Sequence, residues 1–311
     1  MENNDLWLSK NLQNLNRGSS EWAICFTDLQ TNKSLKFNAD LQMDTMSVVK
    51  IAILVCFLTL SFEKEIDPNR RIQIKLANKR LGTGVLALLE EGAEVSLSDA
   101  ANLMITVSDN TATDLIIESI GGVAVVNRWF STIGIGEIQL SGTSFDWFKA
   151  LAVFMDKKCE SYGPEELFKN GYPINDKQEL LLARKQFHFQ GKQAFSLASA
   201  EAITKLLQLI KLPSLLHSAV RNQALQILGN QIYKSRIPRY LPNSANVYHK
   251  TGDFTPFIAN DAGIVEIKTG ECFAMCMLSK SNQLPWGYSE EIISQMTSMY
   301  FQNFTELYSR S

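Results

Sequence analysis

Residues 46–60 read Met-Ser-Val-Val-Lys-Ile-Ala-Ile-Leu-Val-Cys-Phe-Leu-Thr-Leu, in which Ser47 and Lys50 lead into an apolar run. The run predicts a buried helix, because it is far shorter than the roughly 20 apolar residues that span a bilayer. Residues three apart share a helix face, so Lys50 can approach the hydroxyl of Ser47. A serine hydroxyl needs a neighbour to take its proton, and an apolar environment lowers the pKa of a lysine toward that of a base. An N-cap serine followed by a surface lysine is the alternative interpretation.

Two later clusters carry polar side chains suited to the same chemistry. Ser108-Asp109-Asn110 interrupts a helical pattern; its serine can relay a proton and its asparagine can hold a substrate carbonyl, although all three residue types also cap helices. His249-Lys250-Thr251-Gly252 closes an apolar strand pattern. Here Lys250 and Thr251 offer a charge and a hydroxyl, and Gly252 lets a ligand backbone approach closely. A strand end followed by a turn is the alternative for this cluster.

Taken together, the order Ser-x-x-Lys, Ser-Asp-Asn, Lys-Thr-Gly resembles the class A β-lactamases and penicillin-binding proteins. Ser47 and Ser108 lie 61 residues apart, which is similar to the spacing in that family. The segments 82–86, 103–115 and 260–265 also resemble class A sequences. The resemblance covers roughly residues 20–135 and 195–305.

The resemblance implies a role for each polar residue of these clusters. Ser47 would be the nucleophile, Lys50 its base or proton shuttle, and Ser108 the relay to the leaving group. The substrate-binding residues would be Asn110, Lys250, Thr251 and Gly252. The oxyanion hole would consist of the backbone N–H groups of Ser47 and Asp253, each donor typically lowering the barrier by roughly 3–4 kcal/mol. No metal and no cofactor is implied.

Two features depart from the family. Class A members carry a Glu-x-x-Leu-Asn segment whose glutamate holds the hydrolytic water, and this chain lacks that segment; Asp146 is a weak substitute, and the glutamates of the region are Glu160, Glu165, Glu166 and Glu179. No lysine or arginine lies between Lys250 and Glu266, which argues against binding of a substrate carboxylate. Asp253 and Asp261 suit a neutral or cationic group, or they cap turns. We interpret His249 as a packing residue, because strand alternation turns it away from Lys250.

The order of strands and helices predicts the fold class. Strand patterns occupy residues 22–38, 246–251 and 261–279, helical patterns lie between them, and residues 287–309 form a closing helix. We expect an α/β (α+β) protein with an antiparallel five-stranded sheet from both termini, flanked by helices, and an inserted all-helical lobe. This is the β-lactamase/transpeptidase-like fold. The chain, 1–311, would be one domain, with an α/β lobe at about 20–45 and 220–311 and a helical lobe at about 46–219.

The segment 141–195 lies inside the predicted helical lobe and looks rebuilt relative to the family. It contains many aromatic residues, and the 142 residues from Ser108 to Lys250 exceed the usual interval. We expect short helices and long loops there. A lid, a pocket wall and a partner surface are all open as its role.

Composition excludes several classes of function. The net charge of −2 and the lack of a basic stripe argue against nucleic acid. The five cysteines are odd in number and widely spaced, which favours reduced thiols. The start Met-Glu-Asn-Asn-Asp has no basic or apolar leader, so a cytoplasmic location without membrane contact is expected. The sequence does not predict an oligomeric state.

The predicted function is a serine hydrolase that forms an acyl-enzyme on Ser47 and acts on a β-lactam or a related amide or ester. The partner would be a small-molecule or peptide-like acyl substrate. Acylation has a candidate for every role, whereas deacylation lacks the glutamate. Two alternatives therefore stay open: an acyltransferase, peptidase or esterase with a dedicated, biosynthetic substrate, and a non-hydrolytic penicillin-binding sensor or scaffold.

Overall fold

Two compact units make up the chain in the computed structural model, which describes residues 4–16, 20–191, 193–280 and 286–309. Residues 1–48 together with 197–311 form the first unit, and residues 49–196 form the second. The single domain and its lobe boundaries at about 46 and 219 stay predictions.

Ten strands and eleven helices are distributed along the described residues. The strands are β1 (Glu21–Asp28), β2 (Ser34–Phe37), β3 (Met43–Asp44), β4 (Arg71–Gln73), β5 (Glu94–Ser96), β6 (Gln139–Leu140), β7 (Ser196–Ala198), β8 (Asn246–Phe254), β9 (Ile258–Glu266) and β10 (Cys272–Lys280). The helices are α1 (Asn4–Asn16), α2 (Lys50–Phe62), α3 (Leu97–Thr106), α4 (Asn110–Ile120), α5 (Val123–Thr132), α6 (Ser144–Met155), α7 (Pro164–Asn170), α8 (Lys177–Phe189), α9 (Ala200–Lys211), α10 (Ser218–Gly229) and α11 (Trp286–Ser309).

The first unit is built on a five-stranded sheet in the order β2-β1-β10-β9-β8. Every neighbouring pair is antiparallel, and the strands come from both ends of the chain, as predicted. β1 is buried at all positions after its first, which is typical of a strand covered on both faces. On one face Trp22 and Phe26 join a core with Tyr300 and Phe304 of α11, and α9 packs against β1, β9 and β10.

The apolar stretch predicted as strand over 261–279 is two strands joined by a turn. Ile267 N donates to Glu271 O at 2.9 Å and Gly270 N donates to Ile267 O at 3.0 Å. Gly270 has φ +103, a left-handed conformation that residues with a side chain rarely adopt. The turn reverses the chain and allows β9 and β10 to pair with each other.

The second unit is mostly helical. In α2, every residue from Lys50 to Leu58 is buried, as the apolar run predicts. The unit also contains an antiparallel pair, β4 with β5, so it is not wholly helical as the sequence had predicted. The segment 141–195 is more regular than expected. Its helices α6, α7 and α8 account for most of it, around a small core of Ala152, Cys159 and Leu167.

All five cysteines are buried and free of disulfide bonds. Within the described ranges, no helix combines the length and apolar character needed to span a membrane.

Candidate active site

Ser47 lies in a tight 3₁₀ turn, Met46–Val49, that runs directly into α2. The turn is held by two hydrogen bonds: Val48 N donates to Thr45 O at 3.1 Å, and Met46 N donates to Asp44 Oδ1 at 3.0 Å. Met46 has φ +47, a strained value for a residue with a side chain. Such strain persists only where the surroundings enforce it, and it is concentrated at functional sites. The Ser47 side chain is partly exposed.

The backbone of β8 lies against this turn at Gly252. A Cβ atom at Gly252 would lie 2.5 Å from Thr45 O, 3.0 Å from Val48 N and 3.1 Å from Ser47 N. Only glycine permits this approach, because real Cβ contacts are longer. The close neighbour of Gly252 is therefore the Ser47 turn, whereas the sequence alone suggested a ligand backbone.

Lys250 and Thr251 precede this glycine and are both buried. Lys250 Nζ donates to Thr251 O at 2.8 Å. Burial lowers the pKa of Lys250 to about 7, against the opposing attraction of Asp253 and Asp261. The hydroxyl of Thr251 is buried without a hydrogen-bond partner among the described residues. An unsatisfied buried hydroxyl is unfavourable, which makes it a candidate for ligand binding.

Arg236 lies beside Asp253 of β8 and was missed by sequence reasoning. It is buried and donates through Nη1 to Asn260 O at 2.6 Å, through Nε to Glu290 Oε1 at 3.3 Å, and through Nη2 to Asp253 Oδ1. Burial lowers the pKa of Arg236, but Asp253, Asp261 and Glu290 together raise it above its ordinary value. Arg236 precedes Lys250 and so lies outside the segment after Lys-Thr-Gly that lacks lysine and arginine, and no local pattern marks it.

The turn-capping alternative is wrong for Asp253 and holds in part for Asp261, which accepts from the backbone N–H of Ile237 at the start of a turn. Both lie in strands, opposite Ala259 and Thr251 respectively. Asp261 is fully buried; its Oδ2 accepts from Ile237 N at 3.2 Å, and its two oxygens lie 3.0 and 3.1 Å from His249 Nδ1. His249 is itself fully buried, in agreement with a packing role.

Within the second unit, Lys50 is the centre of a polar cluster. Its side-chain nitrogen is fully buried and donates to Ser108 O at 2.9 Å, Ser108 Oγ at 3.3 Å and Asn110 Oδ1 at 2.9 Å. The surface-lysine alternative is therefore wrong. Ser108 has φ +57, a second strained backbone position. The first and second polar clusters of the sequence thus meet at Lys50.

The capping alternative for Ser108-Asp109-Asn110 holds for the middle residue alone. Asp109 Oδ1 accepts from Ala112 N at 2.9 Å and so caps α4. Its Oδ2 accepts from Val85 N at 2.7 Å and Leu86 N at 2.8 Å. Asp109 fixes the cluster, and its two neighbours bind Lys50.

The aromatic segment 141–195 reaches this cluster through Phe148 of α6. A Cβ at Gly82 would lie 2.6 Å from Asn110 Nδ2 and 2.7 Å from Phe148 Cζ. Asn110 Nδ2 also donates to Leu81 O at 3.0 Å. The Phe148 ring and the asparagine amide thus both border Gly82, a position of Phe148 that sequence reasoning missed because no periodicity identifies it.

Known proteins resemble this chain in sequence. A family model described as the β-lactamase enzyme family matches residues 7–304. The chain belongs to the β-lactamase enzyme family. Among curated relatives, β-lactamases CARB-4 and PSE-4 of Pseudomonas aeruginosa are 28% and 25% identical over 122 residues, which is 39% of this chain and 42% of each relative. The chain thus matches about two fifths of the length of these β-lactamases.

Solved structures agree on the fold. A β-lactamase from Sphaerobacter thermophilus superposes with a TM-score of 0.75 at 20% identity, covering 95% of this chain and 96% of that one. PBP-A gives a TM-score of 0.73 at 22% identity, with coverages of 98% and 97%. The predicted β-lactamase/transpeptidase-like fold and the predicted resemblance are therefore confirmed.

Asp146, the weak substitute for the class A β-lactamase glutamate, and the four glutamates of the same region all lie at the surface. Glu160, Glu165, Glu166 and Glu179 are exposed. Asp146 is also exposed, and its Oδ2 accepts from Thr143 N and Thr143 Oγ1, each at 2.8 Å, as the cap of α6. The structure brings none of these five carboxylates into the hydrogen bonds described for Lys50. Among the residues that the structure describes, no group of three or more His, Cys, Asp or Glu is suited to a metal ion.

Proposed function

We propose that this member of the β-lactamase family is a serine hydrolase that forms an acyl-enzyme on Ser47 and acts on a β-lactam or a related amide or ester. The observation that carries the proposal is the buried side-chain nitrogen of Lys50, which is held by Ser108 and Asn110 and lies three residues after Ser47 on one continuous helical run. Burial of a lysine costs free energy unless hydrogen bonds compensate for the lost water. A buried lysine close in sequence to a serine can take the proton of that serine and so activate it as a nucleophile.

In the proposed reaction, Lys50 Nζ acts as the base and takes the proton of Ser47 Oγ while that oxygen attacks the substrate carbonyl. The backbone N–H groups of Ser47 and Asp253 stabilise the oxyanion. Ser108 passes a proton to the departing nitrogen or oxygen, which breaks the acyl bond and leaves an ester on Ser47. Asn110 binds the acyl-side amide, and Lys250 and Thr251 are the proposed substrate-binding residues of β8. Water then hydrolyses the ester and regenerates Ser47.

The last of these steps is the slow one in this proposal. Hydrolysis of an acyl-enzyme needs a base for water, and the candidate carboxylates of residues 141–195 lie at the surface. Phe148 and Asn110 both border Gly82, so an apolar ring shares the surroundings of the asparagine amide. These observations favour a second candidate, a long-lived acyl-enzyme that serves an acyltransferase or a penicillin-binding sensor. A PBP-A mutant, similar in fold, is itself known as an acyl-enzyme complex with penicillin G.

Intact-mass spectrometry after mixing with penicillin G, followed over time, tests the proposal. We expect a stoichiometric adduct on Ser47 that decays slowly with release of the hydrolysed product, and no adduct on Ser47→Ala. An adduct that never decays supports the sensor or transferase. No adduct with penicillins and with simple thioesters alike contradicts the acyl-enzyme proposal.

The proposed substrate is a small molecule or a peptide-like acyl compound. The cytoplasmic location also stays a proposal; if it holds, the substrate is a compound of intracellular metabolism.

A further inference from the structure

The guanidinium group of Arg236 is fully engaged within the first unit. Each of its three nitrogens donates to a different partner: Nη1 to the Asn260 carbonyl, Nε to Glu290, and Nη2 to Asp253. The Arg236 side chain is 3% exposed. A substrate carboxylate would have to displace one of these acceptors in order to bind this arginine.

Asp253 is the accessible member of this group. Its side chain is 39% exposed, whereas that of Arg236 is enclosed. Asp253 lies two residues after Thr251 on β8, so both side chains project from the same face of the strand. The buried Thr251 hydroxyl lacks a hydrogen-bond partner among the described residues. A ligand that binds to this face of β8 could supply that hydrogen bond.

The charges beside β8 sum to a negative value. Arg236 and Lys250 are the cationic side chains, and the carboxylates are Asp253, Asp261 and Glu290, all of which act electrostatically on Arg236. Burial also lowers the pKa of Lys250, so part of its positive charge is lost near neutral pH. A surface that binds a carboxylate needs an excess of positive charge, whereas these side chains carry an excess of negative charge.

We propose that Asp253 is the specificity-determining residue of the acyl site and makes it prefer substrates that carry an ammonium group on the part that lies against β8 over slower substrates, such as penicillins, that carry a carboxylate. The proposal rests on the proposed function and names its substrate class. Asp253 has two separable roles in it: its backbone N–H faces the oxyanion, and its carboxylate, already oriented by Arg236, attracts the substrate cation.

Three thioesters of benzoylglycine test the charge preference, since they share one acyl group and differ in the thiol: thiocholine (cationic), methyl mercaptoacetate (neutral) and mercaptoacetate (anionic). Thiol release gives kcat/KM for the full-length protein, for Asp253→Asn, and for Asp40→Asn, which makes the same charge change at an exposed residue. The measured quantity is the ratio of kcat/KM for the cationic ester to kcat/KM for the anionic ester. Comparing this ratio between the three proteins cancels the difference in intrinsic reactivity between the two esters. We expect Asp253→Asn to lower that ratio by about tenfold and Asp40→Asn to leave it unchanged.

Binding to Ser47→Ala separates failure of this proposal from failure of the proposed function. Calorimetry with the same thioesters should give a lower Kd for the thiocholine ester than for the mercaptoacetate ester, and adding Asp253→Asn should remove the difference. If Ser47→Ala still turns the esters over, the assigned nucleophile is wrong, while the Kd values still decide on Asp253. A ratio unchanged in Asp253→Asn, tighter binding of the anionic ester, or no binding of any ester overturns the selection of cations.

Discussion

Gly252→Ala tests whether the contact between β8 and the Ser47 turn sets the geometry of acylation. The added methyl would lie 2.5 Å from Thr45 O, and carbon–oxygen contacts this short do not persist, so strand and turn must separate by roughly half an ångström. Overpacking of this kind typically costs about 1–3 kcal/mol of unfolding free energy. The displaced atoms belong to the backbone on both sides of the proposed oxyanion hole. Because misplacement by about 1 Å can slow a reaction a hundredfold, we expect acylation to slow by about ten- to a hundredfold.

The assay is the rate of penicillin adduct formation by intact mass, with urea unfolding on the same samples. Gly229→Ala is the matched control, because its new Cβ would meet only the Tyr248 ring, at an ordinary 3.4 Å. That variant should acylate as fast as the parent protein. If Gly252→Ala acylates at the parental rate with unchanged stability, the close contact does not set the geometry and the reasoning is refuted.

Further predictions concern the buried polar groups. Lys50→Ala should slow adduct formation by roughly 10²–10⁴-fold, and parental labelling would contradict its role as base. Asp114→Asn should lower the unfolding free energy by about 3 kcal/mol in urea titration, because buried Asp114 accepts from Arg80 Nε at 2.5 Å through Oδ2 and from Ser144 N at 2.7 Å through Oδ1; the exposed variant Asp146→Asn should lose only about 1 kcal/mol. Lys250 has a native pKa of about 7 against an ordinary 10.5, so its burial penalty is fully present below about pH 7 and disappears as pH rises through 10.5. Lys250→Met should thus stabilise the protein more at about pH 6 than at about pH 9.5, and an equal effect at both pH values would contradict the lowered pKa. Burial raises the pKa of all five thiols, so Ellman's reagent should label them only after unfolding, and rapid labelling of the native protein would show that a thiol is accessible.

Local sequence patterns predicted the principal buried helix and the five-stranded sheet. The apolar run after Lys50 is a buried helix, and strand patterns at both ends of the chain form one antiparallel sheet. The boundary between β9 and β10 was missed, because apolar residues flank a turn of only a few polar residues around Gly270. A short turn inside an apolar stretch barely changes the hydrophobic pattern of the sequence.

The two-stranded pair β4–β5 was beyond the sequence, and so were the bounds of the helices in residues 141–195, where short helices and long loops were predicted. Strands of three residues carry too few alternations to be recognised. The aromatic residues of 141–195 gave no clear helical face, and their helices are fixed by tertiary anchors such as Asp114, which accepts from the backbone N–H of Ser144 and Phe145 at the start of α6.

The sequence by itself determined the identity and order of the three polar clusters, the buried helix that follows Ser47, and the sheet drawn from both termini. Each of these depends on residues within a few positions of one another. Tertiary structure decided which polar groups meet. Lys50 reaches Ser108 and Asn110 across about 60 positions of chain, and Arg236 meets Asp253 only because β8 returns beside it. Such pairings depend on how the chain folds back on itself, and neither residue type nor local spacing encodes the partner of a buried charge.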